Sequence, residues 1–128
     1  MKTLLVSLDL KHDHQPLLDQ AITLAKAYSA EVLLVTVADE DEAVRSRMEL
    51  LLAELTDEGV ITNMELLEGK PGEQVVAKGN EIDADMIIIG HHGNSSVFDT
   101  LAGSAGQDIM QHAGRPVLLV PVPKDSDS

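Results

Sequence analysis

The sequence predicts an α/β fold in three layers: an open five-stranded parallel sheet of order 3-2-1-4-5 with two helices on each face. Three observations carry that prediction. Five short apolar runs of strand length alternate with four longer segments of helical period, and such alternation requires parallel pairing through right-handed crossovers. Most of the runs are apolar at nearly every position, as in strands covered on both faces. At 128 residues the chain has the length of one domain, with a single core that buries roughly two-thirds of the unfolded surface. The strand order is the common one for open sheets of this size.

The first strand is Thr3 to Leu8, with Asp9 at its carboxyl end. Pro16 stands in the first turn of the following helix, where its missing N–H is harmless. Leu17, Ala21, Leu24, Ala25 and Tyr28 then recur at helical spacing, widened by Leu18 and Ile22. Val32 to Val37 is the second strand, and the acids after Ala38 favour a helix start. In the second helix Val44, Met48, Leu51, Leu52 and Leu55 share one face, and Gly59 stops it. Ile61 to Leu67 alternates apolar and polar residues, which places the third strand at a sheet edge. Turn chemistry from Glu68 to Gly72 precedes a third helix carried by Val75, Val76 and Ile82, weakened by Gly79. Met86 to Ile89 is the fourth strand. Ala105, Ile109, Met110 and Ala113 mark a fourth helix ended by Gly114, and Pro116 to Val120 is the fifth strand. The domain is expected to span residues 1–122, with a polar tail, 123–128, that frays.

The stretch from Ile87 to Ser104 concentrates the chemistry. An apolar run ends at Gly90, a loop carries Gly93 and Gly103, and Ser104 opens a helix. Strand, glycine loop and helix start together form an anion cradle, in which backbone N–H groups and the helix dipole favour phosphate. The spacing Gly-x2-Gly-x9-Gly-Ser is neither the dinucleotide fingerprint nor the P-loop, and both of those are absent from the chain. In the expected order, Asp9 and Gly90 end the two strands flanking the switch point, where open sheets of this class bind ligands. Loop glycines and a helix-capping Ser104 are also common without any ligand.

Nine Lys and Arg against 22 Asp and Glu give a formal charge of -13, which repels nucleic acid and anionic membranes at long range. With no cysteine, disulfides, thiolate metal sites and a cysteine nucleophile are excluded. No run of residues approaches membrane-spanning length, so a soluble, cytoplasmic protein is expected. Such acidity also suits a salt-rich interior.

The glycine motif, with the segment order around it and the final Gly114-Arg115-Pro116-Val117-Leu118-Leu119-Val120-Pro121, resembles the ATP-binding universal stress protein family over nearly the whole chain. The resemblance implies an adenine nucleotide, with Asp9 and Gly90 on the ribose and the backbone of Val37 on adenine. It also implies phosphates on Gly93, Gly103 and Ser104, with the N–H of Ala105 added. This loop departs from the usual pattern at His91, His92 and Asn94, and contains no Lys or Arg between Gly90 and Ser104. ATP is therefore expected to need Mg²⁺ or Mn²⁺.

His12, His14, His91 and His92 follow the first and fourth strands and form a candidate metal set, set against four unrelated loop histidines. No catalytic residue is assigned, because no general base or cationic stabiliser of phosphoryl transfer stands out. A receiver domain would need an acid beside Asp9, and a hydrolase a Gly-x-Ser-x-Gly elbow; neither occurs. The uncharged fifth strand, Val117–Val120, is expected at a sheet edge and invites pairing with a second copy, an arrangement the resemblance also implies. The expected function is a homodimeric nucleotide-sensing module that another protein reads. A slow ATPase or self-phosphorylating enzyme, or an interaction protein whose nucleotide site has decayed, are the alternatives.

Overall fold

The computed structural model describes residues 1–10, 14–92 and 105–122, apart from the side chains of His92 and Ala105. Along them run β1 (Thr3–Ser7), α1 (Gln15–Tyr28), β2 (Glu31–Val37), α2 (Glu42–Asp57), β3 (Thr62–Leu67), α3 (Pro71–Glu81), β4 (Met86–His92), α4 (Ala105–His112) and β5 (Val117–Val122). The strands form one sheet of order β3-β2-β1-β4-β5, and every neighbouring pair is parallel. The expected order is thus the observed one.

Leu4, Leu5 and Val6 of β1 are fully buried, because this central strand is covered on both faces. Successive residues of a strand face opposite ways. Leu4, Val6, Leu34 and Ile88 pack with Leu18, Ala21, Met48 and Leu55 of α1 and α2. Leu5, Val35, Ile87 and Ile89 pack with Val75 of α3 and Ile109 of α4. Burying side chains of this size contributes about 1.5–3 kcal/mol each, so the two half-cores hold the sheet between its helix layers.

Local chemistry fixes the helix limits. In α1, Pro16 occupies the first turn and the chain turns away through left-handed Ser29 (φ 56°). Tyr28, expected in the buried stripe, is 53% exposed, as the last helical residue before that turn. Asp41 caps α2, accepting the N–H groups of Ala43 (2.7 Å) and Val44 (3.4 Å). A Cβ at Gly79 in α3 would lie 3.2 Å from Ile87 Cδ1, so the helix packs closely on β4. Near the opposite end of the sheet, the Asp85 carboxylate accepts the N–H groups of Lys2 (2.7 Å) and Thr3 (2.9 Å), fixing the start of β1.

The ends of the last two strands differ from expectation. β4 does not stop before Gly90: Gly90, His91 and His92 pair with Val120, Pro121 and Val122. Each strand offers main-chain partners to the other, and so both run on together. Pro121 is tolerated because β5 is an edge strand. Among the described residues no helix is long and apolar enough to cross a membrane.

Candidate functional site

The strand order reverses between β1 and β4. The chain leaves β1 for the layer containing α1, and β4 for the layer containing α4, which opens a crevice at the carboxyl edge between the two strands. Asp9 lies two residues past β1, exposed. Its neighbours are pinned. The Leu8 N–H donates to Val35 O (2.8 Å), and Leu8 O accepts the Thr36 hydroxyl (2.8 Å), itself buried. On the other side of Asp9, Leu10 O accepts Arg47 Nη1 from α2 (3.0 Å).

Val37 ends β2, half-buried against the cluster containing Leu67 and Val75. The next N–H, that of Ala38, donates to Leu67 O (3.0 Å), so the second strand exit is also held. Beyond it the Glu40 carboxylate receives Arg45 through two bonds, Nε to Oε2 (2.9 Å) and Nη2 to Oε1 (2.7 Å). That fork holds the Glu40 carboxyl below its usual range. Asp41 then starts α2.

Gly90 sits in β4 for a reason the sequence did not reveal. A Cβ there would lie 2.9 Å from Leu17 Cδ1 and 3.2 Å from Val122 Cγ1. Its φ is outside the left-handed region, which among the described glycines is occupied by Gly59, Gly69 and Gly114. The glycine therefore serves a close approach of α1 to the strand beside the crevice.

His91 falls on the sheet face of Ile87 and Ile89, and its Nδ1 is buried with no hydrogen-bond partner. His14 is the residue capping α1, where its carbonyl accepts the Leu18 N–H (3.1 Å). His91 and His92 are strand residues rather than loop residues, and His12 lies outside the described residues. Among the described residues no group of three His, Asp or Glu side chains is arranged to hold a metal ion.

Ala105 is the first residue of α4, and a helix start presents unbonded N–H groups. Asp108 stands in the same turn, packed so tightly on Gly72 of α3 that a Cβ on Gly72 would lie 2.5 Å from Asp108 Cβ. Gly93, Gly103 and Ser104 lie outside the described residues. The described part of the edge therefore holds an exposed Asp9 beyond β1 and a β2 exit fixed by its bond to β3. Sequence reasoning missed Thr36, Arg47 and the Gly72–Asp108 contact. A threonine in an otherwise apolar strand signalled the first, whereas Arg47 is one surface cation among several.

The sequence profile of the Universal stress protein family matches residues 38–121. Universal stress protein MJ0531 of Methanocaldococcus jannaschii is 31% identical, over 81% of this chain and 72% of that protein. The chain spans about half the length of two further relatives, 49% and 48%. Among solved structures, a universal stress protein from Archaeoglobus fulgidus in complex with dAMP superposes with a TM-score of 0.74 at 23% identity, covering 94% of this chain and 98% of that one. A universal stress protein in complex with cAMP gives 0.78 at 21% identity, covering 93% and 95%. The profile match begins just after β2 and runs through β3 and β4 into β5, and the superpositions show the same fold. The chain therefore belongs to the universal stress protein family.

Proposed function

We propose that the protein binds an adenine nucleotide, ATP in the first place, at the carboxyl edge between β1 and β4, and acts as a homodimeric regulatory module. The observation that carries this is that Asp9, just past β1, Val37, the last residue of β2, and Gly90, among the last three residues of β4, all lie at the carboxyl ends of the neighbouring strands β2, β1 and β4, beside the reversal of strand order. The dAMP and cAMP complexes of structurally similar family members support an adenine ligand.

Asp9 is assigned to the ribose hydroxyls and the Val37 backbone to adenine. Gly90 is assigned to the ribose beside Asp9, on the strand that α1 packs against through Leu17. The phosphates are assigned to Gly93, Gly103, Ser104 and the Ala105 N–H. A helix start carries roughly half a positive charge, and the acidic Asp108 in the first turn of α4 offsets part of it. With no Lys or Arg between Gly90 and Ser104, a triphosphate needs Mg²⁺ or Mn²⁺ to neutralise it. ATP affinity measured by calorimetry is expected to fall on adding chelator.

The homodimer is assigned to the edge of β5, and an unidentified protein is assigned as reader of the nucleotide state. The deciding experiment is to purify the protein gently, denature it and identify the released nucleotide. Bound ATP or another adenine nucleotide supports the proposal. ADP accumulating on incubation supports a slow ATPase, and a pocket that is empty and ignores added ATP supports an interaction protein.

A further inference from the structure

We propose that Arg47 is a positioning residue of this site: from α2 it holds the carbonyl of Leu10 and so fixes Asp9 to receive the ribose hydroxyls. This deepens the nucleotide assignment above and rests on it. Asp9 lies beyond the last β1 residue that pairs in the sheet, Ser7. Left alone, such an exit would sample many conformations, and ordering one backbone residue costs about 1–2 kcal/mol.

Three bonds remove that freedom. Leu8 is held on both its N–H, by Val35 O, and its carbonyl, by Thr36 Oγ1, each at 2.8 Å. Leu10 is held by Arg47 Nη1 at 3.0 Å. Leu8 is buried and Leu10 packs against the same core cluster, while Asp9 between them is exposed. The bracket therefore fixes the backbone on both sides of Asp9, whose side chain lies at the surface.

Arg47 suits the task better than lysine would. Its head is planar, permanently charged and forked, so one N–H can serve a carbonyl while the stem lies along the helix. The helix that carries it is itself anchored. Asp41 caps its first turn, and Arg45, two residues before Arg47, forks onto Glu40 in the β2–α2 connection. The helix start is thus tied to its own lead-in, while the β2 exit is held separately by β3, through the Ala38 N–H on Leu67 O. Thr36 anchors the exit on the inner side of Asp9 and Arg47 on the outer side.

The test is calorimetric titration of the full chain with Mg²⁺-ATP and with Mg²⁺-2′,3′-dideoxy-ATP, in wild type, Arg47→Met, Arg47→Lys, Asp9→Ala and the Arg47→Met/Asp9→Ala pair. Wild type is expected to prefer ATP over the dideoxy analogue. Arg47→Met should weaken ATP by about five- to tenfold while leaving the analogue within about twofold, since only the hydroxyl contact is displaced. Arg47→Lys should recover part of the loss, and Arg47→Met should cost almost nothing further once Asp9 is alanine, because coupled residues are not additive. An unchanged ATP-to-analogue ratio in Arg47→Met overturns the proposal, as does equal weakening of both ligands, which marks general destabilisation. A wild type that binds both equally also overturns it while leaving the nucleotide site standing. A wild type that binds neither removes the nucleotide assignment and this proposal together.

Discussion

At the residue scale, Gly90 separates packing from ligand chemistry. Because its missing side chain makes room for Leu17 and Val122, Gly90→Ala is expected to destabilise the fold by about 1–3 kcal/mol through overpacking. Leu17→Ala in the same chain should return part of that loss, despite its own cavity cost, so the double variant should be more stable than the sum of the singles. Urea unfolding of the four proteins checks this, and strict additivity would place the strain elsewhere. Asp85 makes a prediction in pH. Its bonds to the Lys2 and Thr3 N–H groups hold its carboxyl below the usual range. A group with a depressed folded-state pKa contributes stability that is complete above its unfolded-state pKa and lost as pH falls through the folded-state value. The stability gap between wild type and Asp85→Asn should therefore be constant near neutrality and close on acidification below about pH 4. A gap that persists after the Asp85 carboxyl has become protonated would show that its charge contributes nothing to holding β1. Neither role was legible in the sequence: Gly90 read as the end of a strand, and nothing singled out Asp85, because both act on residues far away in the chain.

At the element scale, α2 turns a surface helix into a brace for the β1 exit, and its own first turn hangs on Asp41. Removing that cap by Asp41→Ala is expected to cost about 0.5–2 kcal/mol in denaturant unfolding. Amide exchange should rise in the first turn of α2 ahead of β1 and β2, and uniform acceleration across the sheet would mean the cap is part of the global core instead. Existence and type of every described element were legible, because burial repeats with the period of the element: Met48 and Leu55 two turns apart in α2, or Leu4, Leu5 and Val6 buried in succession in β1. Strand ends were not. The last three residues of β4 and the last two of β5 are strand because each supplies the other with main-chain partners, and no single segment encodes a mutual pairing. The site shows the same division. Asp9 and Val37 could be placed from the strands they follow, whereas the bonds of Thr36 and Arg47 that orient the first of them depend on contacts 28 and 37 residues apart in sequence.

At the scale of the whole molecule, the two sheet edges are built differently. The β3 edge carries Asn63 and Glu65, and the Glu65 carboxylate receives the buried Lys78 ammonium of α3 at 2.9 Å. A charged, covered edge of this kind resists pairing with another strand. The β5 edge, from Val117 to Val120, has no charge at all, which makes it the edge suited to the proposed second copy. Against that stands the charge of the chain, -13 per copy, since two such surfaces repel one another whenever the solvent screens poorly. The Debye length shrinks from about 10 Å at 0.1 M salt to about 3 Å at 1 M, while the apolar strand contact is not weakened by salt in the same way. The dimer is therefore expected to tighten as sodium chloride rises from about 0.05 to 1 M, with the dissociation constant from sedimentation equilibrium falling several-fold. A dimer that loosened over that range would be held by ion pairs rather than by the uncharged edge. A chain that stayed monomeric at every salt concentration would assign β5 to some other cover.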